Sequence, residues 1–342
     1  MEEPRNRHMP HSDTAVVPGI GMARVRNAPG LALLLVAIAL AGLVYGAATT
    51  PSFLTPFNLG VVVRAAAFVG IMAVGLTFVT ISGNFFLLSV TEIAALSSII
   101  FAFSVNQQLG IVAVLVLTLG TAAVLGAAQG AVIGLGANPI VVTLAFGSVI
   151  FGVAAYFSDA QMILVSRPNP FEWLGAGLTF GVPNVTWVFL LIAAAGELVL
   201  KRTTFGRRIY LSGDNRATAT AIGNRAFAMA VQVCSIAALA GGLVGILFSA
   251  QMSAGYVNHF TGAMGASGSL TLNAIAAVMI GGTAIAGGAG SALRSAAGAI
   301  FIALIDNMMV LRGYETGPRI LFVGLVIVVS VAAYSVIKKA RR

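Results

Sequence analysis

Ten apolar runs separated by short polar or glycine-rich breaks make up most of this chain. Eight are long, at 31–48, 59–81, 88–104, 109–135, 139–157, 185–200, 226–250 and 318–337. Two shorter ones, 271–282 and 292–310, flank a stretch crowded with glycine. A helix that crosses a bilayer needs about 20 consecutive, mostly apolar residues. The pattern therefore predicts an all-α, polytopic membrane protein of about ten transmembrane helices. Residues 1–29 are polar and hold Pro4, Pro10 and Pro18, which predicts a disordered tail. The first run follows Arg24 and Arg26 and ends near a small-residue pair, Ala47-Ala48. It starts too far into the chain and runs too long for a cleaved leader, so a retained helix is expected. The membrane domain then covers 30–337, and 338–342 is a basic tail.

Composition sharpens this picture. The 342 residues are 58% hydrophobic and 8% charged, whereas soluble domains carry about 25% charged residues. Such a chain cannot clothe a water-facing surface. The net charge of +9 does not point to nucleic acid, because the basic residues sit beside apolar runs, as the positive-inside rule requires. The segment 201–225 carries Lys201, Arg202, Arg207, Arg208, Arg216 and Arg225 against Asp214 alone, and the tail carries Lys338, Lys339, Arg341 and Arg342. Both are expected in the cytoplasm, with six spans before 201–225, four after it, and both termini inside. The loop 158–184, with Asp159, Arg167, Glu172 and Trp173, then lies outside; Phe171, Trp173 and Leu174 suggest an interfacial helix there.

Little in the chain supports bond-making chemistry. The single cysteine, Cys234, is inside an apolar run, and His8, His11 and His259 are scattered, so neither a disulfide nor a metal site is expected. No phosphate-binding G-x-x-x-x-G-K-[ST] loop occurs, and the only lysines are Lys201, Lys338 and Lys339. No convergent set of His, Cys and carboxylates suggests an enzyme.

Polar residues at membrane depth are the informative ones. Residues 82–92 read SGNFFLLSVTE. Asn84, Phe85, Phe86, Ser89 and Glu92 are candidates for a substrate path, with Thr143, Asn273, Asp306 and Asn307 elsewhere. Glu92 is costly at the bilayer centre and faces a cavity or partner, unless the span's end solvates it. Asp306 and Asn307 need partners between helices or in water, while Met308 and Met309 suit either an apolar gate or core packing. Arg64 is expected to snorkel to outer headgroups, and Glu197, beside Lys201 and Arg202, to be a solvated helix-end charge. Gly281, Gly282, Gly287, Gly288 and Gly290 permit a tight turn. The stretches Thr80 to Ser97 and Val278 to Ala297 share a plan of apolar run, glycine break, serine and small-residue helix start, which suggests an internal two-fold repeat. In 203–223, Asn215 is placed to cap a short helix from Arg216 through Ala217, Ala219 and Ala221, and Gly223 to end it. That helix is either a docking surface or part of a plain basic loop.

Specific strings narrow the choice by resemblance. Phe205-Gly206-Arg207, Tyr210, Gly213, Asn215, Ala219 and Gly223 resemble the cytoplasmic coupling segment of sugar-type ABC importer permeases, the ribose and xylose permease family. Residues 274–283 (AIAAVMIGGT), 287–291 (GGAGS), 138–144 (NPIVVTL) and Gly181-Val182-Pro183 also fit that family, from about residue 31 onward. The resemblance implies a transmembrane permease domain without ATPase activity. It also implies a second permease copy, ATPase subunits holding ATP and Mg at the 201–225 loop, a periplasmic binding protein and surrounding lipid. Arg207, Gly213, Asp214, Asn215, Arg216, Ala219 and Gly223 would carry the coupling. The mechanism implied is alternating access. Branched-chain amino acid or nucleoside permeases share the glycine strings, and a stand-alone transporter is a further alternative. The family commonly reads GGIDLSVG where this chain has Gly83-Asn84-Phe85-Phe86-Leu87-Leu88-Ser89-Val90-Thr91. The acid is missing, Thr91 replaces a glycine, and Glu92 adds a carboxylate nearby.

Overall fold

The computed structural model describes residues 41, 44–46, 48–84, 86–165, 169–221, 223–255 and 270–340, with backbone alone at 216–218 and 331–340. The tail 1–29, most of the first apolar run, Phe85, Arg167, His259, Arg341 and Arg342 lie outside the described residues.

The other nine runs are helical. Thr55 opens α1 (Pro56–Ile81): its side-chain oxygen accepts from the Asn58 amide, and Pro56 supplies a preset first turn. After a break come α2 (Val90–Asn106), α3 (Ile111–Gly134) and α4 (Pro139–Ser158). Asn138 and Pro139 start α4 by the same device, with the Asn138 side chain accepting from Ile140. Then follow β1 (Ile163–Leu164), α5 (Glu172–Ala176), β2 (Leu178–Thr179), β3 (Val182–Pro183), α6 (Asn184–Arg202), α7 (Thr204–Asp214) and α8 (Arg216–Ala221). The chain continues through α9 (Ala226–Met252), β4 (Ala254–Gly255), α10 (Leu270–Ile280), α11 (Ala292–Leu311) and α12 (Thr316–Ala340). Among the described residues, six helices are long and apolar enough to cross a membrane: α1, α3, α4, α6, α9 and α11. Helices α2 and α10 are apolar but shorter. The all-α expectation needs a small correction, because β1 pairs antiparallel with β4 and β2 with β3. Each strand is two residues long and stitches loops at one end of the bundle.

Helices α1 and α9 form the centre: 67% and 78% of their most apolar stretches are buried, against 22% and 28% for α3 and α4. Small residues let them approach. On α3, Ala122, Gly126, Gly130 and Gly134 recur every fourth residue, so they share one face. A Cβ added at Gly126 would stand 2.5 Å from Ala238, one at Gly130 2.6 Å from the Ala230 carbonyl, and one at Gly134 2.9 Å from Phe227. The order of these partners makes α3 and α9 antiparallel. Close backbone approach of this kind supplies van der Waals contact where lipid removes the hydrophobic drive.

One expectation is overturned. Glu197 is not a solvated charge: it is 6% exposed, because its carboxylate accepts from Ser291 Oγ at 2.9 Å and the Leu293 amide at 3.2 Å. It therefore helps to cap α11 from the neighbouring α6, while Lys201 pairs with its other oxygen at 2.5 Å. Arg64 is half-buried, and its Nε has no hydrogen-bond partner among the described residues. Met308 packs with Phe53, Val62 and Leu304 rather than standing clear.

Candidate functional site

Three turns meet at the basic end of the bundle. The first leaves α1 at Ser82-Gly83, the second ends α7 at Gly213-Asp214, and the third is the glycine-rich link 281–291. The Gly288 amide donates to the Ile81 carbonyl at 2.8 Å. A Cβ at Gly213 would lie 1.9 Å from the Ile81 oxygen and 2.4 Å from the Gly288 nitrogen. At Gly287, with φ +90°, it would lie 2.9 Å from the Cα atoms of both Gly213 and Gly83. Main chain thus touches main chain at three points, which only glycine allows. Within the link, Ala284 donates to the Ala289 carbonyl at 2.8 Å and Gly287 to Ala284 at 3.0 Å. Gly281 and Gly290 are equally confined, by Ser295 and by Ile81, and Gly282 takes φ +72°.

Helix α7 was not expected from the sequence. Thr203 starts it, accepting from the Gly206 amide at 3.1 Å. Tyr210 Oη donates to the Gly290 carbonyl at 2.9 Å, tying the helix to the link. Burial, with the Glu197 carboxylate adding to it, pushes the Tyr210 phenol up to about 12, although Arg294 pulls the other way. The hydroxyl thus remains a donor at any ordinary pH. The short helix expected from Arg216 is present as α8, holding Ala219, with Asn215 preceding it and Gly223 at φ +82° following it. Arg207 is exposed on α7.

A second polar group lies at membrane depth, where α2, α3 and α4 meet. Ser89 Oγ donates to Gln129 Oε1 at 2.6 Å, and both residues are buried. Glu92 stands one turn further along α2, facing Gly147 of α4. Its Oε2 is buried and has no hydrogen-bond partner among the described residues; Gln129 Nε2 shares that condition. Between α2 and α4 opens a cavity of about 360 Å³ lined by Leu88, Glu92, Thr143, Leu144, Gly147, Ser148 and Phe151. Of the sequence candidates, Ser89, Glu92 and Thr143 are therefore brought together. Asn84 is buried in the break itself and donates to Ser82 Oγ at 3.1 Å; Phe86 packs half-buried against the core.

The remaining candidates lie elsewhere. Asn273 is buried on α10. Asn307 exchanges two side-chain hydrogen bonds with Asn58, at 2.8 and 3.0 Å. Asp306 accepts a two-pronged contact from Arg319, 2.8 Å at each oxygen. Sequence reasoning missed Gln129, Asn58 and Arg319. Gln129 was visible as the polar side chain inside the run 109–135; Asn58 and Arg319 looked like ordinary helix-start residues. No group of three His, Cys, Asp or Glu that could hold a metal occurs among the described residues.

Helices fit to cross a bilayer, a polar cleft at their depth and a tightly jointed basic end describe a multi-pass membrane transport component. The chain belongs to the family described as branched-chain amino acid transport system / permease component, whose model matches residues 58–331. It is similar to the ribose import permease protein RbsC of Escherichia coli K12, 28% identical over 82% of this chain and 87% of that one. The ribose import permease protein of Bacillus subtilis is 30% identical, over 82% and 85%. The autoinducer 2 import system permease protein LsrC of Photorhabdus luminescens is 29% identical over 70% of each. No solved structure matches the chain. Its relatives are permease components, and the chain is a transport subunit, not an enzyme.

Proposed function

We propose that this chain is the transmembrane subunit of an ATP-driven importer in a bacterial inner membrane, forming the path for a sugar or sugar-like solute. The observation that carries the reading is the joint of Gly83, Gly213 and Gly287. It links the segment that resembles an ATPase-coupling loop directly to two breaks between membrane helices. Force delivered to α7 and α8 reaches those breaks through backbone contact, which is what alternating access asks of a coupling element. The basic end, carrying Lys201, Arg202, Arg207 and Arg208, faces the cytoplasm, and both termini lie on that side. Residues 30–337 form the permease domain between two cytoplasmic tails. Two copies line the path, ATPase subunits dock at 201–225, and a periplasmic binding protein delivers the solute at the opposite end. The exposed apolar faces of α3 and α4 meet lipid and the second copy. The breaks at 82–89 and 281–291, each following an isoleucine and ending at a serine, descend from one repeated unit of a ten-span architecture.

Copurification and reconstitution test this. An ATPase partner should copurify, its hydrolysis should rise with loaded binding protein, and liposomes holding the complex should take up ribose or a related pentose only with internal ATP. Ion-driven uptake by the chain alone would defeat the reading, and leucine uptake in place of a pentose would change the substrate.

A further inference from the structure

The cleft between α2 and α4 has a lining of one hydrogen-bonding sense. Thr143 Oγ1 donates to the Ile140 carbonyl at 3.2 Å and Ser148 Oγ to the Leu144 carbonyl at 3.1 Å. Their protons are spent, so both hydroxyls offer acceptor lone pairs. In its ionised form Glu92 offers only acceptors as well, and its Oε2 is buried and without a partner among the described residues. Ser89, behind it, is occupied by Gln129. The remaining wall is apolar, made by Leu88, Leu144 and Phe151.

A carboxylate at such depth is costly against lipid, which argues that the cleft opens on a water-filled path. An acceptor-only site selects a donor-rich ligand, since a buried acceptor left unpaired carries its full desolvation cost. An anion is repelled. A hard metal cation wants about six oxygen ligands and finds three side chains and three apolar neighbours. A neutral polyol donates from every hydroxyl and lays its C–H face on the leucines and phenylalanine. The cavity, about 360 Å³, is at the small end of ligand clefts, which run from about 300 to 1,000 Å³. We propose that this cleft is a subsite on the path for a neutral polyhydroxylated solute, with Glu92 accepting hydrogen bonds from its hydroxyls. The proposal rests on the transport function above and adds the place and chemistry of contact.

The test uses the permease–ATPase complex and one introduced thiol. Ser148 is exposed and lines the cleft, whereas Cys234, the natural cysteine, is fully buried. In Ser148→Cys protein, millimolar ribose, xylose or ribitol should slow maleimide alkylation severalfold. Adding Glu92→Ala should abolish that protection, read as the ratio of alkylation rates with and without polyol within the same variant. Protection by ammonium chloride in place of the polyols, or protection that survives Glu92→Ala, overturns the proposal. Pentose uptake by reconstituted wild-type complex, measured in parallel, separates the two claims. Uptake without protection removes this subsite and leaves the transport reading standing. Absence of both uptake and ATPase association removes the transport reading, and the subsite with it.

Discussion

At the scale of single residues, two glycines with the same look in sequence carry different burdens. Gly223 has φ +82° but open space around its Cα. Gly223→Ala should therefore cost only the left-handed strain, about 1–2 kcal/mol. Gly213→Ala would force a methyl into the Ile81 carbonyl, and should dissociate the joint: ATPase copurification and uptake both fall, while membrane insertion persists. Comparing the two variants by copurification and thermal melting checks the distinction. Tyr210 gives a pH signature. Its folded-state value is raised to about 12, above the ordinary value near 10. The unfolded chain loses this proton first, so stability from the neutral phenol is intact below pH 10 and declines as pH rises toward 12. Melting temperatures of wild type and Tyr210→Phe across that window should differ by this component. Below it, the variant should lack only one hydrogen bond, about 1 kcal/mol. Sequence foresaw that Glu92 needed a cavity or partner, because burying a carboxylate is expensive wherever it occurs. It did not foresee Asn58 beneath Asn307, since their pairing depends on two helices meeting across a sequence separation of 249.

Helices were the most legible elements, because twenty apolar residues in a row leave a chain few alternatives. Their breaks were legible too, through glycine and serine. Helix α7 escaped notice because its charged face masks the buried side that carries Ile209 and Tyr210. Packing partners were invisible: nothing in the run 111–134 tells which of its glycines face a neighbour. A Cβ at Gly120 would meet nothing within 4 Å, whereas one at Gly130 would collide with the α9 backbone. Gly120→Ala should be neutral or stabilising by up to about 1 kcal/mol, and Gly130→Ala destabilising; thermal melting in detergent would read both. The link between α11 and α12 invites a cycle. Asp306→Asn removes the charge from the carboxylate that accepts from Arg319 at both oxygens, and should lower the melting temperature. The double variant Asp306→Asn, Arg319→Met should recover part of that loss, because the guanidinium is removed together with the charge it faces.

For the whole molecule, the centre at α1 and α9 and the two chemically distinct ends matter most. Phe180 is 94% exposed at the end stitched by β2 and β3, and Arg208 is exposed at the basic end. If the basic end is cytoplasmic, Phe180→Cys should react with an impermeant maleimide in cells whose outer membrane is permeabilised, and Arg208→Cys only after lysis. The reverse pattern would invert the proposed orientation. Charge bias gives an expected sidedness from sequence alone, and this pair of variants tests it. Which faces enclose the path was not, because apolar residues serve lipid, core and subunit contact alike.

The joint of three glycines has a consequence for repair. Most packing faults can be relieved by trimming a neighbouring side chain, but here the neighbours are carbonyls and amides, and there is nothing to trim. Suppressors of Gly213→Ala should therefore arise outside the joint, in residues that let α7 or the 281–291 link shift as a body. Selection for restored growth on the transported solute would map the parts of this protein that move together.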